Sequence, residues 1–381
     1  MLDAFYLAAL CAVTPGLGRS RIPKLIKFFG NAKTVYEAQM YDLLQSGICT
    51  VRQIENFIAN RKPELPEKLF AFCSRHCVKL ITIYDADYPE ALKEIHDFPL
   101  VLYVRGVLPV SKYNLAIVGS REASPYGLKA AGMFAAAFAQ EHIPVISGGA
   151  RGIDTAAHKA CLLAGGSTVA VLGCGIDIAY PSENKRLFEQ IADSGALVSE
   201  FAPGTAPRSY NFPARNRIIV GMSRGVLVAE AARKSGAIIT AGIAADEARE
   251  VYCIPGNIFT GSSIGCHDLI RTGAKLVDGP QDIFEDMRDW YRSCSGKIIQ
   301  PEMFGSDDDG QKEDPCAGDF CTKEMSALGK KLFHLLLQGP LSLEELTEQS
   351  GESFADVSME LLNLQVEGII AADQAQRYYR I

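Results

Sequence analysis

The sequence predicts an α/β protein with a Rossmann-like, doubly wound and mostly parallel sheet. An N-terminal helical domain of helix-hairpin-helix or SAM-like type and a C-terminal winged-helix domain flank it. Three observations predict this. Between residues 115 and 279, short β-branched runs are each followed by a glycine-rich turn and a helical pattern. Those runs are apolar along their whole length rather than alternating, as strands covered by helices on both faces require. The segments on either side, residues 1–85 and 322–381, carry apolar positions at helical spacing instead. With 381 residues and 48% hydrophobic side chains, the chain can bury more than one core.

Within residues 1–85, FYLAALCAV and IPKLIKFFG read as helices joined by TPGLGRSR, residues 14–21. Gly16 and Gly18 permit a tight hairpin, which resembles the module that meets nucleic-acid backbone through main-chain N–H groups. An ordinary helix turn explains the same residues. Cys73, His76 and Cys77 in CSRHC could ligate a metal, but no second pair lies at finger spacing, so buried thiols on a helix are expected and no metal site. The 11 cysteines, with Cys161, Cys174 and Cys253 in apolar neighbourhoods, suit a reducing cytoplasm. No run approaches the length of a membrane span, and MLDAFYLAALCAVTPG has no basic residue ahead of its apolar stretch, so neither membrane insertion nor secretion is expected.

The central segment, residues 86–285, supplies the strands LAIVG (115–119), IPVISG (143–148), STVAVLG (167–173), ALVSEF (196–201), GVLVAEA (225–231), EVYCIPG (250–256) and AKLVDG (274–279). In an open α/β sheet the loops after the strands gather along one edge, where ligands bind. The first such loop offers Gly119, Ser120 and Arg121: a glycine for close backbone approach to an anion and an arginine for a bidentate phosphate contact. The second, SGGARGIDTAAH, places Gly148, Gly149 and Arg151 at a helix start, where anions are favoured. Asp154 and His158 lie one helical turn apart there, and a structural or capping role is expected for them. The third loop puts Lys185 and Phe188 three residues apart on one helix face, a cation beside an aromatic. Taken alone, that pair is equally compatible with Phe188 in the core and Lys185 in solvent. The fourth, SEFAPGTAPRSYNFPARNRIIVGMS, adds Arg208, Asn211, Arg215, Asn216 and Arg217; buried arginines would need carboxylates, and Glu200 and Glu230 are candidates.

No G-x-G-x-x-G, no acid ending the second strand and no Walker lysine is present, so no dinucleotide, other cofactor or catalytic residue is assigned. A crevice with several anion sites and an aromatic suits a strand of nucleic acid. The formal charge of −7 does not oppose this, because residues 1–114 carry 14 basic and 11 acidic groups and residues 115–280 carry 15 and 14. The acidity sits in residues 281–321, with 4 basic and 11 acidic groups, and in residues 322–381, with 5 and 9. Residues 286–321 read as an acidic linker. In residues 322–381, three helical patterns and a terminal hairpin form the winged-helix pattern. Its third helix, Ser353–Gly368, has no Lys or Arg and has Asp356, Glu360 and Glu367, so protein docking is expected rather than groove reading.

Taken together, YPEALKEIHDFPLVLYVRG (88–106), AIVGSREASPYG, SGGARGIDTAAHKA, TVAVLGCGIDIAYPSENKRL, SEFAPGTAPRSYNFPARNRIIVGMS and SGAIITAGIAADEAREVYCIPG (235–256), in that order, resemble the DNA-processing protein A family, DprA or Smf, of bacteria. The resemblance implies a non-enzymatic, cytoplasmic protein that binds single-stranded DNA in natural transformation, forms a homodimer and helps load the RecA recombinase. It implies an anion pocket at Gly119, Ser120, Arg121 and Arg151, extended by Lys185 and the NFPARNR arginines. The last sheet edge, GCHDLIRTGAKLV, is the candidate dimer contact. The alternatives are a nucleotide phosphoribohydrolase-like enzyme, whose PGGxGT-type loop is not found here, and a small-nucleotide sensor with the winged helix as its output.

Overall fold

The computed structural model describes residues 2–13, 20–109, 111, 113–287, 326–336, 341–366, 370–372 and 377–380. They fall into two compact units, Met1–Ile299 and Gln300–Ile381. The first begins with six helices, α1 Leu2–Val13, α2 Arg21–Phe29, α3 Ala32–Glu37, α4 Met40–Gln45, α5 Val51–Asn60 and α6 Leu65–Arg75. Local chemistry sets their starts: Asn31 accepts the Thr34 N–H at 2.8 Å ahead of α3, and Thr50 and Gln53 form a capping box on α5. Their apolar stripes converge on Leu10, Leu25, Tyr36, Ile54 and Phe57, in one core with Tyr103 and Leu172 of the sheet. The hairpin residues Gly16 and Gly18 lie outside the described residues.

The sheet has nine strands in the order β1-β2-β6-β5-β4-β3-β7-β8-β9. These are β1 Val78–Thr82, β2 Val101–Gly106, β3 Leu115–Val118, β4 Val145–Ser147, β5 Thr168–Leu172, β6 Ala196–Ser199, β7 Gly225–Val228, β8 Glu250–Cys253 and β9 Lys275–Leu276. From β6 to β9 every pairing is parallel, whereas β1 with β2 and β2 with β6 are antiparallel. The helices between them are α7 Glu90–Lys93, α8 Pro125–Gln140, α9 Ile153–Leu163, α10 Lys185–Ser194, α11 Asn211–Gly221, α12 Gly236–Asp246 and α13 Ile264–Arg271. All seven expected strands are present, trimmed at their ends. The two antiparallel strands are additional, and β1 is an edge strand whose exposed Lys79 interrupts its apolar pattern. On one side β3 and β4 pack under Phe134, Phe138 and Cys161; on the other, Ile218, Ile219 and Ala241 cover the sheet. That double burial is the reason for the continuous apolar runs.

The second unit holds α14 Ala327–Leu335, β10 Leu341–Ser342, α15 Leu343–Ser350, α16 Phe354–Val366, β11 Ile370–Ala372 and β12 Arg377–Arg380, with the strands antiparallel in the order β10-β12-β11. Leu332, Leu346, Val357, Leu361 and Ile370 form its core. A capping box of Ser342 and Glu345 opens α15, and Gly351 closes it at φ +69°. The expected linker, from residue 288 onward, and Glu367 lie outside the described residues. Among the described residues no helix is long and apolar enough to cross a membrane, and no cluster of three or more His, Cys, Asp or Glu could hold a metal.

Candidate functional site

Chain order reverses between β3 and β7, which are neighbours: successive strands run outward from β3 on one side, through β4 to β6, and from β7 to β9 on the other. Loops leaving the carboxyl ends of such a pair diverge and open a crevice. Here the crevice has a volume of about 670 Å³, and Ser120, Arg121, Phe212, Asn216, Lys234 and Thr240 are among its lining residues. The N-terminus of α12, capped by Ser235 accepting the Ala237 N–H at 3.3 Å, also borders it. That places a helix-start partial charge beside two cationic side chains.

The β3 exit turn is held by β7. The Ser120 N–H donates to the Glu230 carbonyl at 2.7 Å, and the Glu230 carboxylate accepts the Ser124 N–H at 2.9 Å and its hydroxyl. Ser120 Oγ accepts the Glu122 N–H at 3.1 Å. A Cβ on Gly119 would lie 2.5 Å from Ile153 Cγ1, so the residue is small for packing between the two loops. Arg121 projects free of these bonds, exposed, with its guanidinium carbon 5.5 Å from the Phe212 ring centroid. Tyr180 stands against the same Phe212 ring, centroids 5.4 Å apart and planes tilted by 36°. A cation, two aromatic rings and Lys234 thus converge on one mouth.

The β4 exit turn corrects an expectation. Asp154 Oδ2 accepts the N–H groups of Gly148 and Ala150, both at 3.2 Å, so this helix-start anion site is filled by the chain's own carboxylate. Burial raises the Asp154 pKa and the Arg215 charge opposes the rise. His158 is held neutral by burial, at about 3, with Nδ1 2.7 Å from Thr168 Oγ1. Gly149 has φ +66°, and a Cβ there would meet Phe188 Cε1 at 2.6 Å. At Gly152, φ is +71° and the clash would be with the Ser120 carbonyl oxygen, which brings the β3 and β4 exits together. Arg151 does not reach the crevice; it pairs with Glu183 on the neighbouring loop.

Other expected residues separate into lining and core. Arg215 lines the crevice floor but is 4% exposed, donating to the carbonyls of Gly148, at 2.8 Å, and Val171. Burial draws its pKa down to about 10, against the pull of Asp154, so it stays charged at neutral pH. Asn216 lines the crevice and accepts from Arg215 Nε at 3.2 Å. Arg217, two positions on, faces the other way: it grips both Glu200 oxygens at 2.7 Å and Asp97 at 3.0 Å, as a structural arginine does. Asn211 is buried at the start of α11. Phe188 is 3% exposed, packed with Leu187 and Ile191, so it presents no ring to a ligand. Lys185 is exposed on α10 outside the crevice lining. The aromatics that do reach the mouth, Phe212 and Tyr180, were not singled out from sequence. For Phe188 the burial signal is in KRLFEQI, where Leu187, Phe188 and Ile191 share the apolar stripe that marks a buried face.

Residues 79–288 match the family described as DNA recombination-mediator protein A. The DNA processing protein DprA of Streptococcus pneumoniae is 47% identical over 206 residues, 54% of this chain and 73% of that protein. Protein Smf of Synechocystis is 31% identical over 398 residues, 99% and 98% of the two chains. Among solved structures, that of DprA from S. pneumoniae superposes with a TM-score of 0.63 at 37% identity, covering 74% of this chain and 97% of the other. A Helicobacter pylori DNA processing protein A, studied for its single-stranded DNA binding mode, gives 0.50 at 26% identity, covering 55% and 96%.

Proposed function

This chain belongs to the DNA recombination-mediator protein A family, and from that premise we propose that it binds single-stranded DNA in the crevice between β3 and β7, without catalysing a reaction, and helps load the RecA recombinase in DNA uptake and recombination. The observation that carries this is the Arg121–Phe212–Tyr180 cluster beside Lys234 at the crevice mouth. A phosphate fits between Arg121, Lys234 and the start of α12, while a base face fits an exposed ring. The strand-binding description of the H. pylori relative supports the same ligand.

Non-catalytic action is supported by the two buried carboxylates; Glu122, also in the crevice lining, is exposed to solvent. Asp154 and Glu230, the buried acids flanking the crevice, are both engaged with backbone N–H groups, which leaves neither poised as a general base. The proposed layout is a helical backbone-contacting domain over 1–85, whose last segment contributes β1 to the sheet, the strand-binding domain over 86–285, a linker over 286–321 and a winged helix over 322–381. Exposed Lys24 and Lys27 on α2 support the first role. In the last domain, α16 carries Asp356 and Glu360 and no Lys or Arg, which favours a protein partner over the DNA groove. The terminal strand β9, with Leu276 at 47% exposure, supports a homodimer built on this edge.

The test is competition: a labelled single-stranded oligonucleotide is displaced by unlabelled single strands, by duplex and by nucleoside monophosphates. Displacement by single strands far below the concentrations of the other two supports the proposal. Efficient displacement by a monophosphate, or release of free base from it, would point to a nucleotide sensor or a phosphoribohydrolase.

A further inference from the structure

Strand β8 leaves the sheet next to β7, on the edge that carries the crevice, and the loop after it is a held turn rather than a loose one. The Asn257 side chain accepts the Phe259 N–H at 2.8 Å, and the Thr260 N–H and hydroxyl donate to the Asn257 carbonyl at 3.3 and 3.1 Å. The base is anchored twice. Tyr126 donates its hydroxyl to the Pro255 carbonyl at 2.7 Å, and His267 Nε2 lies 3.3 Å from the Gly256 nitrogen and 3.1 Å from its carbonyl oxygen. At the tip, Ile258 is 76% exposed and Phe259 91%, the most exposed large apolar side chain among the described residues. Water around an open phenyl ring is unfavourable, so a turn built to display one calls for an occupant.

The position selects that occupant. Tyr126, itself half-exposed, sits in the first turn of α8, just beyond Arg121, and its bond to Pro255 ties the β3 exit to the β8 exit. Aromatic side chains therefore stand along one sheet edge from Tyr180 and Phe212 through Tyr126 to Phe259, with Arg121 and Lys234 among them. Alternating rings and cations are what a single strand with stacked bases and a charged backbone requires. A two-residue tip is far too small for a stable protein interface, which needs about 800 Å² per partner, but it matches one or two base faces.

We propose that Phe259, at the tip next to Ile258, is a stacking platform outside the crevice, for a base of the strand after it has passed Arg121, Lys234 and Tyr126. The proposal rests on the crevice holding single-stranded DNA, and the experiment separates the two. Wild type, Phe259→Ala and Arg121→Ala are titrated against labelled oligothymidines of about six and about twenty nucleotides, lengths that fill the crevice alone or run beyond it. The expected result for Phe259→Ala is a loss of roughly 5- to 100-fold on the long strand, the equivalent of one stacked base, and less than about two-fold on the short one. Arg121→Ala weakens both. Phe259→Trp gives a direct readout, since the chain has a single other tryptophan: its emission falls on adding the long strand and not the short one.

An unchanged long-strand affinity in Phe259→Ala overturns the platform, and a concurrent loss in Arg121→Ala shows that the crevice still binds. If Arg121→Ala is also unchanged, the crevice assignment fails with it. A fall in molar mass by light scattering in Phe259→Ala assigns the tip to a contact between copies and overturns the proposal as well.

Discussion

Arg217 is the place where a structural and a DNA-binding role make opposite demands. Its side chain is 9% exposed and its partner Glu200 12%, and Arg217 Nη2 donates to both Glu200 carboxylate oxygens at 2.7 Å. Breaking such a pair from one side costs about 3–5 kcal/mol, because a buried carboxylate loses its guanidinium. Asp97, with its side chain 53% exposed, adds at most about 1 kcal/mol. Arg217→Ala is therefore expected to lower the thermal midpoint by on the order of 10 °C. Glu200→Gln, which keeps the shape and removes the charge, should cost less, about 2 kcal/mol. Replacing both partners with apolar residues, Arg217→Met with Glu200→Leu, should recover much of the loss. Circular dichroism melts supply the midpoints, and strand affinity is measured at 25 °C, well below them. The affinity of each folded variant should match wild type within about two-fold. An Arg217→Ala protein that melts like wild type but no longer binds DNA would refute the structural assignment and make Arg217 a phosphate ligand.

Phe188→Ala should behave in the same manner, destabilising by about 3–5 kcal/mol with unchanged strand affinity, as urea titration and binding together will show. Phe212→Ala should do the reverse, weakening strand binding roughly 5- to 100-fold with a small effect on the melting midpoint; unaltered affinity removes it from the site. His158 is held at about 3 in the folded protein against an unfolded value of about 6.5, so the unfolded chain takes up the proton first as pH falls. Its stabilising contribution is whole above pH ~6.5 and is lost at up to about 1.4 kcal/mol per pH unit on the way down to about 3. His158→Gln should then show a smaller drop in urea midpoint between pH 7 and pH 5 than wild type, and an equal drop contradicts the assignment. Deleting residues 322–381 should leave most DNA affinity in place, since α16 is acidic; a large loss by anisotropy would give that domain a direct DNA contact.

The parallel strands β3 to β7 were legible because burial on both faces writes itself as an unbroken apolar run, whereas β8 and β9, toward the sheet edge, carry Glu250 and Lys275 and are only partly covered. The antiparallel pair β1 and β2 was not, since Lys79 in an edge strand breaks the pattern and the pairing partner β6 lies far away in sequence. Arg121 was legible from a strand, a glycine and an arginine in succession. For Phe188 the core was one of two open readings, and the apolar stripe it shares with Leu187 and Ile191 favoured it; for Arg217 the sequence offered Glu200 as a carboxylate partner but not which side of the helix Arg217 would face. Arg215 and Arg217, two positions apart, point to opposite sides, one toward Gly148 and one toward Glu200. The SGGARG turn carries an anion-site signature, yet Asp154 from the following helix occupies it. A motif shows that a negative charge is wanted, and only the fold reveals that the chain provides it.

Fluorescence anisotropy of a labelled single-stranded oligonucleotide over a salt series, with wild type and Arg121→Ala, tests the central claim most directly. If Arg121 neutralises one phosphate, the substitution lowers affinity at every salt concentration and reduces the log–log salt slope by about 0.7. Affinity and slope both indifferent to Arg121 would contradict a strand held in the crevice between β3 and β7.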